Sequence, residues 1–175
     1  YAKSRRAVHT RLGSTASSHS RFLYLHECIE RLIGRTDAVL TQEANECFWD
    51  AYLRRARLRP GVITFLQEAK KREVKIAIIS DLTDEVQMRK VIHLGLQPFF
   101  DIMVTSEETG RDKPAPGVFL LALKKLGLNR RDVVMIGDDY EKDIRGSERL
   151  GIRGILFHAD GSAPVDKKVV KVKSF

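Results

Sequence analysis

The sequence predicts an α/β fold, a parallel sheet with helices on both faces, preceded by a small all-helical unit. Two observations predict it. From residue 59 onward, short apolar runs of strand length alternate with amphipathic stretches of helical length, the pattern of units that build parallel sheets. Before residue 59 there is neither a proline nor a strand-like run, and apolar residues recur at helical spacing. A chain of 175 residues accommodates one domain with a smaller unit attached. We therefore divide it into a helical subdomain, residues 1–58, and an α/β core, residues 59–175.

Within the first unit, Phe22, Leu25, Ile29, Leu32 and Ile33 fall on one helix face, and Ala44, Cys47, Phe48, Ala51 and Tyr52 repeat the pattern. "GSTASSHS" (13–20) is a polar break in which Ser17, Ser18 or Ser20 is placed to cap the next helix. "RPG" (59–61) marks the change of pattern. "VITFLQEAKKRE" then reads as a helix with Val62, Phe65, Leu66 and Ala69 inward. "VKIAIIS", ending at Ser80, reads as a strand buried on both sides. A helix over 84–94, a strand near 101–105, the helix "APGVFLLALKKLGL", the strand "VVMIG", the helix "DIRGSERLG" and the strand "RGILF" follow. The tail "VDKKVVKVKSF" alternates lysine with valine, which suits a solvated edge strand.

Composition excludes several classes. No apolar run is long enough to span a membrane, and the N-terminus lacks the apolar core of a secretion signal, so a cytoplasmic location is expected. Cys28 and Cys47 have no metal-type spacing and read as reduced packing thiols. Residues 1–72 carry 14 Lys and Arg against 7 Asp and Glu, whereas the remainder carries 17 against 16, within a formal net charge of +8. A basic first part steers anionic partners. Nucleic acid is not expected, because the arginines are scattered among acids and lack interleaved aromatics. Arg5, Arg6, Arg54, Arg55 and Arg57 read either as recognising an anionic substrate or as a solvated helix face.

Parallel connections bring the strand C-termini to one edge, where open α/β sheets bind ligands. "SDLT" (80–83), "TSEETGRDKPAP" (105–116) and "GDDYEKD" (137–143) stand there. Ser80 with Asp81 reads alone as a helix cap, and Lys113 as a surface lysine, but the flanking prolines fix the backbone that aims its ammonium. Asp138, Asp139, Glu141 and Asp143 crowd more charge than one helix end stabilises, and an oxygen-only set favours Mg²⁺. His93 reads as a packing or surface residue of an amphipathic helix, and His9, His19, His26 and His158 show no zinc spacing. A hydroxyl, a lysine and Mg²⁺-type carboxylates together form the set needed to hold a phosphoryl group.

"RPGVITFLQEAKKR", "IISDL", "GRDKPAPGVF" and "MIGDDYEKDIRGSERLGI" closely resemble, in order and spacing over about residues 59–158, the motifs of the haloacid dehalogenase-like (HAD) hydrolase superfamily, phosphatase branch. The resemblance implies a Rossmann-like core and makes residues 1–58 a helical cap of the kind that family inserts. It implies that Ser80 binds the transferring phosphoryl group beside Asp81, that Lys113 stabilises that group and the nucleophile, that Asp138 binds Mg²⁺, and that Asp143 supports the metal. Asp139 replaces a small hydroxyl residue, and its role is open. Family members also begin with an apolar strand ending in Asp-x-Asp, whose first Asp attacks phosphorus. Only Asp37 and Asp50 precede Asp81 here, neither in that setting. The expectation is therefore a fragment lacking the central first strand and the nucleophile. As a whole protein it is expected to be an Mg²⁺-dependent phosphatase of a small phosphorylated metabolite acting through an aspartyl-phosphate, and as this chain alone, inactive. The alternative is a non-catalytic interaction domain on the same scaffold.

Overall fold

A computed structural model describes residues 1–157 and 170–172. Helices α1 (Ala2–Leu12), α2 (Arg21–Ile33) and α3 (Ala38–Arg55) fill the first part. Ser20 caps α2, its hydroxyl accepting from Leu23 N at 3.3 Å, and Asp37 caps α3 by accepting from Leu40 N at 3.0 Å. These caps satisfy amides that a helix start otherwise leaves unpaired. None of the described helices is long and apolar enough to cross a membrane.

The buried faces differ from those the spacing predicts. On α2, Tyr24 and Ile29 are buried, whereas Leu32 is 77% exposed and Phe22 and Ile33 are also exposed. Both neighbours of α2, α1 and α3, contact it, so the residues facing them are covered while Leu32 and Ile33 in the last turn are not. On α3, Thr41, Trp49 and Leu53 point inward, and Cys47 and Tyr52 are exposed. The helix is turned by about one residue, roughly 100°, from the expected row. Burying Trp49, the largest side chain available, outweighs burying Cys47 and Tyr52. Cys28 is half-buried, so of the two cysteines only this one packs.

The remainder alternates helix and strand: α4 (Val62–Lys71), β1 (Ala77–Ser80), α5 (Asp84–His93), β2 (Ile102–Thr105), the short α6 (Ser106–Thr109), α7 (Gly117–Leu126), β3 (Val134–Gly137), a π-helical turn (Tyr140–Ile144), α8 (Arg145–Glu148), β4 (Arg153–Phe157) and β5 (Val170–Val172). Every strand pair is parallel. Among the described residues the strands form two sheets, β1–β2 and β3–β4–β5, rather than one continuous sheet. Among the described residues β5, the stretch 170–172 of the alternating tail, stands at the edge of its sheet, and the rest of that tail lies outside the described residues.

This division accounts for two departures from expectation. β1 is only half-buried at all its positions, and it begins at Ala77, with Val74 54% exposed. A strand paired on one side with β2 alone gains less cover than one in the middle of a sheet. Helix α4 has no fully buried residue and Phe65 lies outward; it packs instead near the turn Gln97–Phe99, with Lys70 Nζ donating to Pro98 O at 2.6 Å.

One hydrophobic core joins the two sheets. Val118, Phe119 and Ala122 of α7 pack with Val104 of β2 and Ile152 before β4, and Ile79 of β1 and Met135 of β3 lie against them. Helix α7 is thus the common floor for both sets of strand ends. Gly154 marks a close approach of backbone to side chain: a Cβ there would lie 2.6 Å from Cγ2 of the fully buried Ile144. Gly154→Ala is expected to destabilise the fold by about 1–3 kcal/mol through overpacking, read as a lower urea midpoint with an unchanged slope; an unchanged midpoint would show that the π-helical turn is free to move away.

Candidate active site

Ser80 is the last residue of β1, and Asp81 follows it. Lys113 lies in the loop between α6 and α7, and Asp143 in the π-helical turn after β3. The structure brings these four together across the two sheets. Lys113 Nζ is 2.7 Å from Asp143 Oδ1 and 3.5 Å from the carbonyl oxygen of Ile79, while its backbone N–H donates to Asp81 Oδ1 at 2.8 Å. The side chains of Lys113 and Asp143 are 10% and 6% exposed. A buried charge of either sign needs such a partner.

Asp143 reaches this position because residue 137 is glycine. A Cβ on Gly137 would stand 2.3 Å from Asp143 Oδ2, so any side chain there would expel the carboxylate. The same Oδ2 accepts from Asp139 N at 3.1 Å, and the side chain of Asp139 caps the turn by accepting from Lys142 N at 3.0 Å. That assigns Asp139 the role left open by sequence: it starts the turn that carries Asp143.

Lys142 is a site residue that sequence reading missed. Its Nζ lies 3.2 Å from Asp81 Oδ2. Burial pushes this ammonium's pKa down, but the hydrogen bond and charge of Asp81, helped by Asp112 and Asp139, leave it above its ordinary value. Its position inside "GDDYEKD" was the available signal. Gln87 Nε2 donates to Ser80 Oγ in a short contact, so the serine's own O–H remains available to donate elsewhere.

A third unforeseen element comes from the helical part. His19 Nε2 is 2.9 Å from Oδ2 of the buried Asp112, and Asp112 N donates to Ser14 O at 3.1 Å. Asp112 directly precedes Lys113, so the segment between α1 and α2 holds the lysine loop from outside the sheets. Nothing in the sequence links positions 93 residues apart.

Asp138 is exposed, and no group of three metal-type ligands occurs among the described residues. Mg²⁺ is commonly bound through one or two carboxylates, with substrate oxygens and waters completing its shell. Asp138 and Asp143 are compatible with that donor set. Of the basic residues flagged in the first part, Arg54, Arg55 and Arg57 are exposed, and Arg57 Nη1 donates to the carbonyls of Arg54 and Ala56 at the end of α3; this favours the solvated-face reading for them.

Residues 18–157 match the haloacid dehalogenase-like hydrolase family. The chain belongs to that family. It is 38% identical over 157 residues to a ribulose-1,5-bisphosphate 5-phosphatase of Halopiger xanaduensis, covering 90% of this chain and 66% of that protein. It is 31% identical to a glyceraldehyde 3-phosphate phosphatase of Methanocaldococcus jannaschii, covering 74% of this chain and 57% of that one. The chain thus spans between about half and two thirds of the length of these relatives. The fold is shared with a HAD-type hydrolase of Bacillus subtilis solved with magnesium bound, at a TM-score of 0.70 and 17% identity, over 99% of this chain and 76% of that one.

The ion pair makes a stability prediction independent of any activity. Lys113→Met leaves Asp143 buried without its cation and is expected to cost about 3–5 kcal/mol. Adding Asp143→Leu to that variant is expected to restore stability rather than subtract more, as measured by denaturant unfolding in a double-variant cycle. Additive losses would mean that the two groups do not support one another.

Proposed function

Starting from that family membership, we propose that the protein is an Mg²⁺-dependent hydrolase of small phosphorylated metabolites. The observation that carries this reading is the placement of Lys113, held by Asp143, the Ile79 carbonyl and Asp81 at the C-terminal ends of the strands. In this reading Lys113 offsets the negative charge of the phosphoryl oxygens, and Ser80, whose Oγ already accepts from Gln87, donates its O–H to one of them. Asp138 and Asp143 would hold Mg²⁺, which when bound polarises the phosphoryl group.

Hydrolysis breaks the phosphorus–ester oxygen bond, releases the alcohol and delivers inorganic phosphate, with water supplying the final oxygen and protons. The family resemblance assigns the attack to an aspartate carboxylate. The resemblance places Asp81 beside the substrate and Asp143 at the metal, and neither stands in an Asp-x-Asp after an apolar strand, so we assign the nucleophile to neither, and the 175-residue chain by itself is expected to show no turnover. Residues 1–58 act in this proposal as a cap that shields the site from water. Its seat on the core includes Arg89 beside Asp50 at 3.7 Å and the Lys90 ammonium over the rings of Trp49 and Tyr52. Small metabolites as substrates and a cytoplasmic location belong to the same proposal.

The test uses the full-length protein. Release of inorganic phosphate from small phosphomonoesters is expected to stop on chelation and to return with Mg²⁺, and Lys113→Ala is expected to lower kcat by about 10²–10³-fold. No turnover by a full-length protein that carries the attacking aspartate would favour the interaction-domain alternative.

A further inference from the structure

Lys142 and Asp143 are neighbours in the turn after β3, yet their side chains go to different partners, each at another strand end. Asp143 Oδ1 meets Lys113 Nζ at 2.7 Å, and Lys142 Nζ meets Asp81 Oδ2 at 3.2 Å. Asp81 Oδ1 in turn accepts from the backbone N–H of Lys113 at 2.8 Å. The four residues thus close a ring in which carboxylates and ammonium groups alternate. Two other acids of the turn are engaged elsewhere: Glu141 Oε1 accepts from Arg145 Nη1 at 3.1 Å, and Asp139 Oδ1 accepts from the backbone N–H of Lys142 at 3.0 Å. The Lys142 ammonium is directed out of its own turn, across 61 positions of the chain, to Asp81.

Asp81 is an awkward residue at this place. It directly follows Ser80, and its side chain is 13% exposed, so water screens its charge poorly. A carboxylate beside a hydroxyl that would hold phosphoryl oxygens repels those oxygens. The hydrogen bond from Lys113 N–H leaves that charge in place, because an amide is neutral, and the oxygen of an asparagine would accept the same bond. What the carboxylate needs in addition is a cation, and Lys142 supplies it. With two carboxylates and two ammonium groups the ring is neutral; without Lys142 it carries one net negative charge.

We propose that Lys142 is a positioning residue of this site: by neutralising Asp81 it lets an anionic group settle beside Ser80 and Lys113, and it does so through Asp81 rather than by touching the anion. The inference rests on the hydrolase reading above for the identity of that anion as a phosphoryl group. In this role the charge of Lys142 matters only while residue 81 is a carboxylate, so the two positions act as a unit. A lysine that contacted phosphoryl oxygens directly would be needed whatever stands at position 81. One that only held the turn would change stability and leave anion affinity alone.

Binding of inorganic phosphate to the full-length protein, followed by phosphorus NMR at a fixed Mg²⁺ concentration, separates these roles without turnover. Lys142→Met is expected to weaken binding about tenfold, and Lys142→Arg, which keeps the charge, to recover most of that loss. Asp81→Asn, which keeps an acceptor for Lys113 N–H, is expected to bring the Lys142→Met protein back to within about threefold of the unaltered one. Lys142→Gln repeats the cycle should Lys142→Met fail to fold, with urea midpoints measured alongside. Unchanged affinity in Lys142→Met would overturn the proposal. So would a double variant that binds no better than Lys142→Met alone, which would put Lys142 on the anion itself. Phosphate binding that follows the expected pattern, without release of phosphate from any ester, would defeat the hydrolase reading and leave the role of Lys142 standing. Turnover of esters with a phosphate affinity indifferent to Lys142 would do the reverse.

Discussion

The contact between Lys113 and Asp143 is the constraint on which the rest of the site depends. The two residues come from opposite sheets, one from the loop after β2 and the other from the turn after β3. Both are nearly buried, and two charges taken out of water stay there only when geometry and further hydrogen bonds compensate the loss of hydration. Here the compensation is specific: Ile79 O and Asp81 accept from the lysine, Asp139 N–H donates to the second carboxylate oxygen of Asp143, and Gly137 leaves room for it. Beneath them, α7 supplies a single apolar floor for both sheets. Hydrophobic burial fixes where the strand ends lie, and the ion pair fixes how the groups on those ends face one another.

Much of this was legible in the sequence, for identifiable reasons. Period and punctuation located the strands at 102–105, 134–137 and 153–157 and the helices between them to within a few residues. Ser80, Asp81, Lys113 and Asp143 stood out because residue types that handle phosphate recurred at three successive strand ends, and the structure gathers them. The faces of α2 and α3 were misread because helical spacing identifies apolar rows without saying which row meets a partner. Trp49 decided the matter for α3 by its size. β1 was expected to be buried on both sides because its composition is that of an interior strand, while its cover depends on which strands pair with it.

The contacts that escaped sequence reading are those between segments remote in the chain. His19 and Asp112 meet because the short turn after α1 lies against the lysine loop, and neither residue is unusual in its local setting. Lys142 was visible but had no assigned partner until the fold brought Asp81 to it. The basic character of the first part likewise resolves only in space. Arg57 satisfies carbonyls at the end of α3, while Arg21 faces a cavity between the helical segment and α5.

Asp81 divides its two oxygens between the backbone of Lys113 and the side chain of Lys142, and that division bears on how such a site is inherited. The three loops after β1, β2 and β3 are not separable modules. A relative's version of residues 137–143 grafted into this chain would have to carry a cation for Asp81 as well as a carboxylate for Lys113, and a grafted lysine loop would have to match both. Substitutions at these positions are therefore expected to travel together through descent, so exchange of whole cores preserves the arrangement more readily than exchange of single loops.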